Sequence, residues 1–385
     1  MTMIKEIDKT YIASTYARKD VVFVKGKGST LYDENGSEYI DFGSGIAVNG
    51  LGHGNEKWLE AITTQLNKIA HTSNLYYNEP SALLAKELIS RTGFSKVFFC
   101  NSGAEANECA IKTARKYSSD KGYTDRNEII TLNKSFHGRT LATLAATGQE
   151  SLHKYFQPYP AGFMYAEPDN FSDLEKKVSG KTCAVMLELV QGEGGVVPLD
   201  VEYVKRVEKL CREKDILLID DEVQTGNGRT GTLYAYMQYG IMPDIMTTAK
   251  GLGNGLPIGC ALFGEKTANT LGKGDHGSTF GANPVACAGA LEVLKQIDAK
   301  LLEEVKEKEK IIKDALKVCR KVKKITGLGL MMGIECDNAG VLIEECLNKG
   351  LVVLAAKEKI RLLPALNISY EELNKGLKIL TEVLK

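Results

Sequence analysis

Residues 243–255 read PDIMTTAKGLGNG. The run Asp244–Thr248 follows Pro243, is rich in β-formers and fits a short, half-buried strand. Gly251, Gly253 and Gly255 come directly after Lys250, so the strand hands over to a loop whose backbone must pass close to something else. Most lysines lie on solvated faces. A lysine where such a strand meets such a loop points into a cleft, where desolvation lowers its pKa and frees the amine to act as a nucleophile.

The flanking sequence says what kind of sheet this strand joins. From about residue 56 onward, helical patterns alternate with the apolar runs KVFFC, EIITL, CAVMLEL, ILLID, DIMTT and CALFG. That alternation predicts an α/β fold whose mainly parallel sheet is covered by helices. After FGANPVACAGALEVLKQI the pattern changes to long charged helices and short strands such as GLGLMMGIEC and GLVVLAA, the pattern of a smaller α+β domain. Near the N-terminus, VVFVKGKGSTLYDENGSEYIDF reads as a β-meander turning at Asn35–Gly36. The expected division is a large domain over residues 49–281 and a small domain formed by both termini, 1–48 and 282–385.

Composition narrows the function. The 385 residues carry 49 basic and 49 acidic side chains, and zero net charge argues against nucleic acid or an anionic membrane as partner. Nine cysteines without a C-x-x-C pair, and no clustered histidines, disfavour a disulfide scaffold and a zinc site and fit a reducing, cytoplasmic compartment. The N-terminal segment lacks the apolar core of a signal peptide, and no window approaches ~18 uninterrupted apolar residues, so neither export nor a membrane span is expected.

A small-molecule site therefore needs parts, and the chain offers them. KVFFCNSGAEANECAIKTARKY runs from a strand through Ser102, Gly103 and Ala104 into a helix, where small residues let backbone N–H groups approach an anion such as a phosphate. An ordinary turn with Ser102 as N-cap accounts for the same residues. ILLIDDEVQTG ends a strand in Asp220, Asp221 and Glu222, which is costly unless they meet cations or donors. An acid at the carboxyl end of a parallel strand faces the ligand crevice, and there Asp221 suits a pyridinium N–H. Neighbouring strand residues face opposite ways, so the three acids do not make a metal site. Phe136 in SFHGRT can stack on a planar ring, and Arg139 offers a fork for a carboxylate. Glu188 and Glu193 in LELVQGEGG, and Arg361 in KIRLLPAL, add charges. Pyridoxal phosphate is the commonest partner of a cleft lysine that bonds carbonyl compounds. A rival exists: Gly226, Gly228 and Gly231 satisfy G-x-G-x-x-G, which suggests a nicotinamide-dependent oxidoreductase. Here DEVQT separates the strand from the first glycine, and no apolar helix follows.

Eight segments, in order and over nearly the whole chain, resemble the class III pyridoxal-phosphate aminotransferases, and within them the acetylornithine aminotransferase group. They are KGKGSTLYDENGSEYIDFGSGIAVNGLGH, CNSGAEANECAIKTAR, FHGRT, LELVQGEGG, LLIDDEVQTGNGRTG, MPDIMTTAKGLGNGLPIG, GSTFGANPVAC and IRLLPAL. The resemblance implies the type I fold of pyridoxal-phosphate enzymes and a homodimer with shared active sites. It implies Lys250 as the lysine that bonds the cofactor, Asp221 at the pyridine nitrogen and Gln224 near the ring's phenolic oxygen. Ser102, Gly103 and Ala104 would hold the phosphate, and Phe136 would stack on the ring. Thr279 would reach the partner subunit's phosphate, with Ser278 beside it near the substrate. Arg139 would bind a substrate carboxylate, while Glu193 and Arg361 would form a gate that tells two substrates apart. The implied reaction moves the δ-amino group of N2-acetylornithine to 2-oxoglutarate. Succinylornithine, succinyldiaminopimelate, ornithine and 4-aminobutyrate enzymes share the scaffold, although His137 in FHGRT stands where ornithine enzymes usually have tryptophan. Three departures stand out: Ala104 replaces a common threonine, GHGNE replaces GHCHP, and Ala282 replaces a glycine. They bear on cofactor affinity, not on Lys250 or Asp221.

Overall fold

A computed structural model describes residues 3–385. Its N-terminal meander is made of β1 (Phe23–Lys27), β2 (Thr30–Asp33) and β3 (Glu38–Asp41). The central sheet contains β4 (Lys96–Cys100), β5 (Glu128–Leu132), β6 (Phe163–Ala166) and β7 (Thr182–Leu187). A two-residue hairpin follows, β8 (Val190–Gln191) with β9 (Val197–Pro198). The central sheet is completed by β10 (Leu217–Asp221), β11 (Ile245–Thr248) and β12 (Gly259–Phe263). The C-terminal strands are β13 (Lys324–Leu328), β14 (Met331–Glu335), β15 (Leu351–Val352), β16 (Leu354–Ala356) and β17 (Lys359–Leu362).

The order in the seven-stranded sheet is β4-β12-β11-β10-β7-β5-β6, and every neighbouring pair is parallel except those made by β12. The six apolar runs read in the sequence are all strands of this sheet. The seventh, β6, lies at the edge and lacks an alternating pattern. All residues of β7, β10, β11 and β12 are buried, as continuous apolar runs require when helices cover both faces. One covering helix, Val201–Glu213, shows how: Tyr203, Val204, Val207, Leu210 and Cys211 recur at helical spacing on its buried side, and the Asp200 side chain caps its start by accepting from Tyr203 N–H.

The meander does not stand alone. β3 pairs in parallel with β15, and β2 and β3 turn through Gly36 at φ 83°. The C-terminal helix Tyr370–Leu384 opens with a capping box between Ser369 and Glu372. Glu372 then accepts from Ser29 N–H at 2.8 Å, tying that helix to the meander.

The glycine motif of the rival reading has a structural use. Gly228 lies flat against Leu366 and Ile297, and the neighbouring Arg229 is buried, donating to the carbonyls of Leu330 at 3.0 Å and Pro364 at 2.5 Å. Burial pulls its pKa down to about 9. The loop thus latches the end of β10 onto C-terminal segments, and the next helix is only Ala235–Tyr239. Among the described residues, no helix is long and apolar enough to cross a membrane, and no group of three or more His, Cys, Asp or Glu side chains is placed to hold a metal ion.

Gly376 marks where the C-terminal helix presses on the meander: a Cβ there would lie 2.4 Å from Phe42 Cζ. In an open helix, Gly→Ala gains about 1 kcal/mol, whereas overpacking a closed contact costs about 1–3 kcal/mol. The buried Phe42 ring has little room to move, so we expect Gly376→Ala to lower unfolding stability by about 1–2 kcal/mol. A urea denaturation midpoint that stays put or rises contradicts this packing.

Candidate active site

Parallel strands aim their carboxyl ends at one crevice, and the site is built there. Asp221 is the last residue of β10 and is buried. Its Oδ2 accepts from Asn107 Nδ2 at 2.8 Å and lies 2.8 Å from His137 Nδ1. A carboxylate only accepts, so Nδ1 carries the imidazole proton and His137 Nε2 is left buried without a partner. Asn107 is itself fixed, because its Oδ1 accepts from Thr247 Oγ1 at 2.7 Å and its Nδ2 also donates to the His137 carbonyl. The other oxygen, Oδ1, takes only the Val223 N–H at 3.1 Å, which leaves it free to meet a cationic donor from the cavity.

Its neighbours in the chain behave differently. Glu222 accepts from Thr225 Oγ1 at 2.5 Å and from Tyr236 N–H at 2.8 Å. Asp220 is buried with no donor on either oxygen, and burial, reinforced by the charges of Glu222 and Asp221, pushes its pKa well above the carboxylate range. Its neutral, protonated form is favoured accordingly. Of the three acids, Asp221 alone lines the cavity.

That cavity has a volume of about 410 Å³. Of the site residues named from sequence, Ser102, Gly103, Ala104, Phe136, Arg139, Glu188, Asp221, Gln224 and Lys250 line it. Lys250 follows β11 in a left-handed backbone conformation, φ 44°, at the start of a short 3-10 turn. Burial lowers its pKa below the ordinary lysine value, against the raising effect of Glu193 and Asp221, so its amine is more readily neutral. Ser102 caps the helix Gly103–Asp120, its hydroxyl accepting from Glu105 N–H at 3.2 Å, and the first turn of that helix opens on the cavity. The cap and the anion cradle are thus compatible uses of one turn. A Cβ at Gly103 would come within 2.6 Å of Val223, so only glycine keeps the turn this close to the ring-sized space. Arg139 is exposed, with its guanidinium 5.6 Å from the Phe136 ring centre.

The remaining four sequence-named residues stand outside the cavity lining. Arg361, buried on β17, pairs with Glu193 and donates to Gln224 Oε1 at 3.2 Å, so the ion pair touches the cavity through Gln224. Ser278 Oγ accepts from Asn101 Nδ2 at 3.3 Å, and Asn101 lines the cavity. Thr279 is exposed and away from its own chain's cavity.

Sequence reasoning passed over Asn107, Val223 and Val48. Asn107 gave a signal: it is a polar residue in the otherwise small and apolar buried face of its helix. Val223 lies in the turn just beyond β10, where its N–H donates back to Asp221 Oδ1. Val48 gave none, since it reaches the cavity through a turn, Ser44–Ala47, whose four residues all have φ between 44° and 65°. Such a left-handed turn costs roughly 1–2 kcal/mol per non-glycine residue and is held here by Asp41, whose Oδ1 accepts from Gly43 and Ser44 N–H at 2.8 Å each.

Comparison with known proteins adds independent information. The family profile described as Aminotransferase class-III matches residues 11–384. An acetylornithine aminotransferase of Haemophilus ducreyi is 51% identical, with 99% of this chain and 98% of that protein covered. A succinylornithine transaminase of Yersinia pseudotuberculosis is 44% identical, covering 95% of this chain and 93% of its own. The solved ornithine aminotransferase of Toxoplasma gondii, described with partial occupancy of PLP at its active site, superposes with a TM-score of 0.95 at 30% identity, over 99% of this chain and 93% of that one.

The lowered pKa of Lys250 has a direct chemical test. Reductive methylation by formaldehyde needs a neutral amine, and Lys116, whose pKa is raised by its hydrogen bond to Asp120, is the control. In protein treated with hydroxylamine to release any aldehyde bonded to its lysines and then dialysed, peptide mapping near neutral pH should find Lys250 methylated faster than Lys116. Equal or slower labelling of Lys250 contradicts the assigned environment.

Proposed function

The chain belongs to the class III aminotransferases, which use pyridoxal 5'-phosphate, and on that premise we propose that it transfers the δ-amino group of N2-acetylornithine to 2-oxoglutarate. The products are N-acetylglutamate 5-semialdehyde and glutamate, a step of arginine biosynthesis. The observation that carries this reading is the Glu193–Arg361 ion pair beside a cavity that also holds Arg139 and Lys250.

The residues present fit the cofactor. Asp221 has an oxygen with a single backbone donor, the Gly103 turn leaves room for an anion at a helix N-terminus, and Lys250 is an amine with lowered pKa in the same cavity. When bound, the protonated pyridine ring supplies a sink for the electrons released as the donor carbon loses its proton. The chain's own residues do the rest. Asp221, fixed by Asn107 and His137, keeps a negative charge against the ring's N–H. The N–H groups of Ser102, Gly103 and Ala104 would hold the phosphate, and Phe136 would lie on the ring face. Gln224 donates to the ring's phenolic oxygen while accepting from Arg361. Once its amine is freed, Lys250 Nζ would take the proton from the donor carbon and deliver it, on the same face, to the carbon that accepts it.

Arginine geometry explains the use of two substrates. 2-Oxoglutarate and glutamate carry two carboxylates and need two forks, Arg139 and Arg361. N2-Acetylornithine carries one, so a free buried guanidinium beside it would be costly, and Glu193 neutralises Arg361 until the diacid displaces it.

A second copy completes the site in this reading. Leu75 and Phe280 are 86% and 61% exposed, and Asn74 ties their segments together by donating to the carbonyls of Ser278 and Gly281. That apolar surface, with Thr279 beside it, supports a homodimer in which Thr279 reaches the partner's phosphate and Ser278 the substrate. The nine cysteines, all buried and unpaired, fit a cytoplasmic enzyme.

Donor choice is tested by kcat/KM for N2-acetylornithine, N2-succinylornithine, succinyldiaminopimelate, ornithine and 4-aminobutyrate with 2-oxoglutarate. One group's difference in acyl size is worth only ~1–3 kcal/mol in a pocket. We expect acetylornithine to rank first; a higher value for succinylornithine moves the assignment to that enzyme. The shared site is tested by mixing Lys250→Ala with Thr279→Ala subunits. Heterodimers should regain one intact site, and heterodimers that form yet stay inactive contradict the role of Thr279.

A further inference from the structure

Glu188 lines the cofactor cavity, is buried, and has no role in the chemistry above. Its two oxygens are divided between two loops. Oε1 accepts from Phe136 N–H at 2.8 Å, and Oε2 accepts from Gly192 N–H at 3.3 Å. Phe136 lies on the cavity's ring face, and Gly192 immediately precedes Glu193. Gly192 has no freedom of its own, since a Cβ there would meet the Gln224 side-chain amide at 2.6 Å, and Gln224 is the group that accepts from Arg361. We propose that Glu188 is a positioning residue that clamps the ring-stacking loop at Phe136 to the gate loop at Gly192–Glu193, so that cofactor seating and substrate discrimination share one carboxylate. This rests on the reading of Glu193 and Arg361 as a charge gate.

The chemistry favours a carboxylate here. Two N–H donors converge on the side chain, and only an ionised acid accepts at both ends; an amide must turn an NH2 toward one of them. Burial, helped by the charge of Asp221, raises the pKa of Glu188 to about 7 against the lowering effects of His137 and of the two backbone N–H groups, so the carboxylate form of the clamp prevails above about pH 7. A structural acid elsewhere in the core would affect stability alone. A clamp affects two functional readouts together.

The experiment compares E188Q with F136A and E193A. Binding of pyridoxal 5'-phosphate to apoenzyme is read by fluorescence quenching, and the ratio of the glutamate to the acetylornithine half-reaction by single-turnover absorbance. F136A should weaken cofactor binding alone. E193A should raise the ratio alone, by freeing Arg361. E188Q should do both: weaken the cofactor roughly tenfold, as loss of a charge-assisted hydrogen bond predicts, and shift the ratio in the same direction as E193A. The double variant E188Q/E193A should shift the ratio no further than E193A. If E188Q melts well below the parent, E188D, which keeps the charge but cannot span both donors, is read in the same way. E188Q moving only one readout, or neither, while the two control variants move theirs, overturns the clamp alone. A ratio unchanged in E193A overturns the gate reading, and the clamp with it.

Discussion

The charge of Asp221, held in the protein interior at the end of β10, is the constraint on which the rest of the site depends. A buried carboxylate without partners costs several kcal/mol, so the fold has to surround it with donors. Those donors come from far apart in the chain: Asn107 from the helix after β4, His137 from the loop after β5, and Val223 from beyond β10. Each of these segments then brings a second group with it. The helix that supplies Asn107 starts at the Gly103 turn, and the loop that supplies His137 carries Phe136 and Arg139. Satisfying one acid therefore assembles the anion cradle, the ring face and a carboxylate fork around the same space.

Lys250 is placed by the neighbouring strand. β11 pairs in parallel with β10 so that Asp221 lies opposite Thr247, and the chain turns into the cavity at Lys250. Two opposite electrostatic problems meet there. The acid needs a cation, and the lysine, stripped of water, favours its neutral form. A ligand that brings a protonated ring nitrogen and an aldehyde resolves both at once. Outside this centre, Gln224 links the cavity to the buried Arg361 and its partner Glu193. In the function proposed above, the electrostatics of substrate choice are thus one side chain away from those of the chemistry.

How much of this the sequence disclosed depends on the range of the interaction. Lys250 and Asp221 were legible because local signals carried them: an apolar run ending in a charge, then a glycine loop. Six of the seven strands in the main sheet were legible for the same reason, whereas β6, a four-residue edge strand without alternation, was not. Interactions between distant segments left no local trace. The bond from Phe136 to Glu188 spans 52 residues, and that from Asn107 to Asp221 spans 114. Val48 reaches the cavity through consecutive left-handed residues that include Ser44, Ile46 and Ala47, a conformation their side chains do not announce. The glycines at 226–231 match a pyrophosphate motif that their sequence context already argued against, and in the structure Gly228 packs against Leu366 and Ile297 instead.

The proposed role of Lys250, the amine that bonds the cofactor opposite Asp221, can be read by reductive trapping. Purified protein is loaded with pyridoxal 5'-phosphate, reduced with borohydride, digested, and mapped by mass spectrometry. We expect a yellow protein whose visible absorbance disappears on reduction, with the phosphopyridoxyl group fixed on Lys250. A label on another lysine, or a colourless protein that takes up no cofactor and retains a nicotinamide instead, would contradict it.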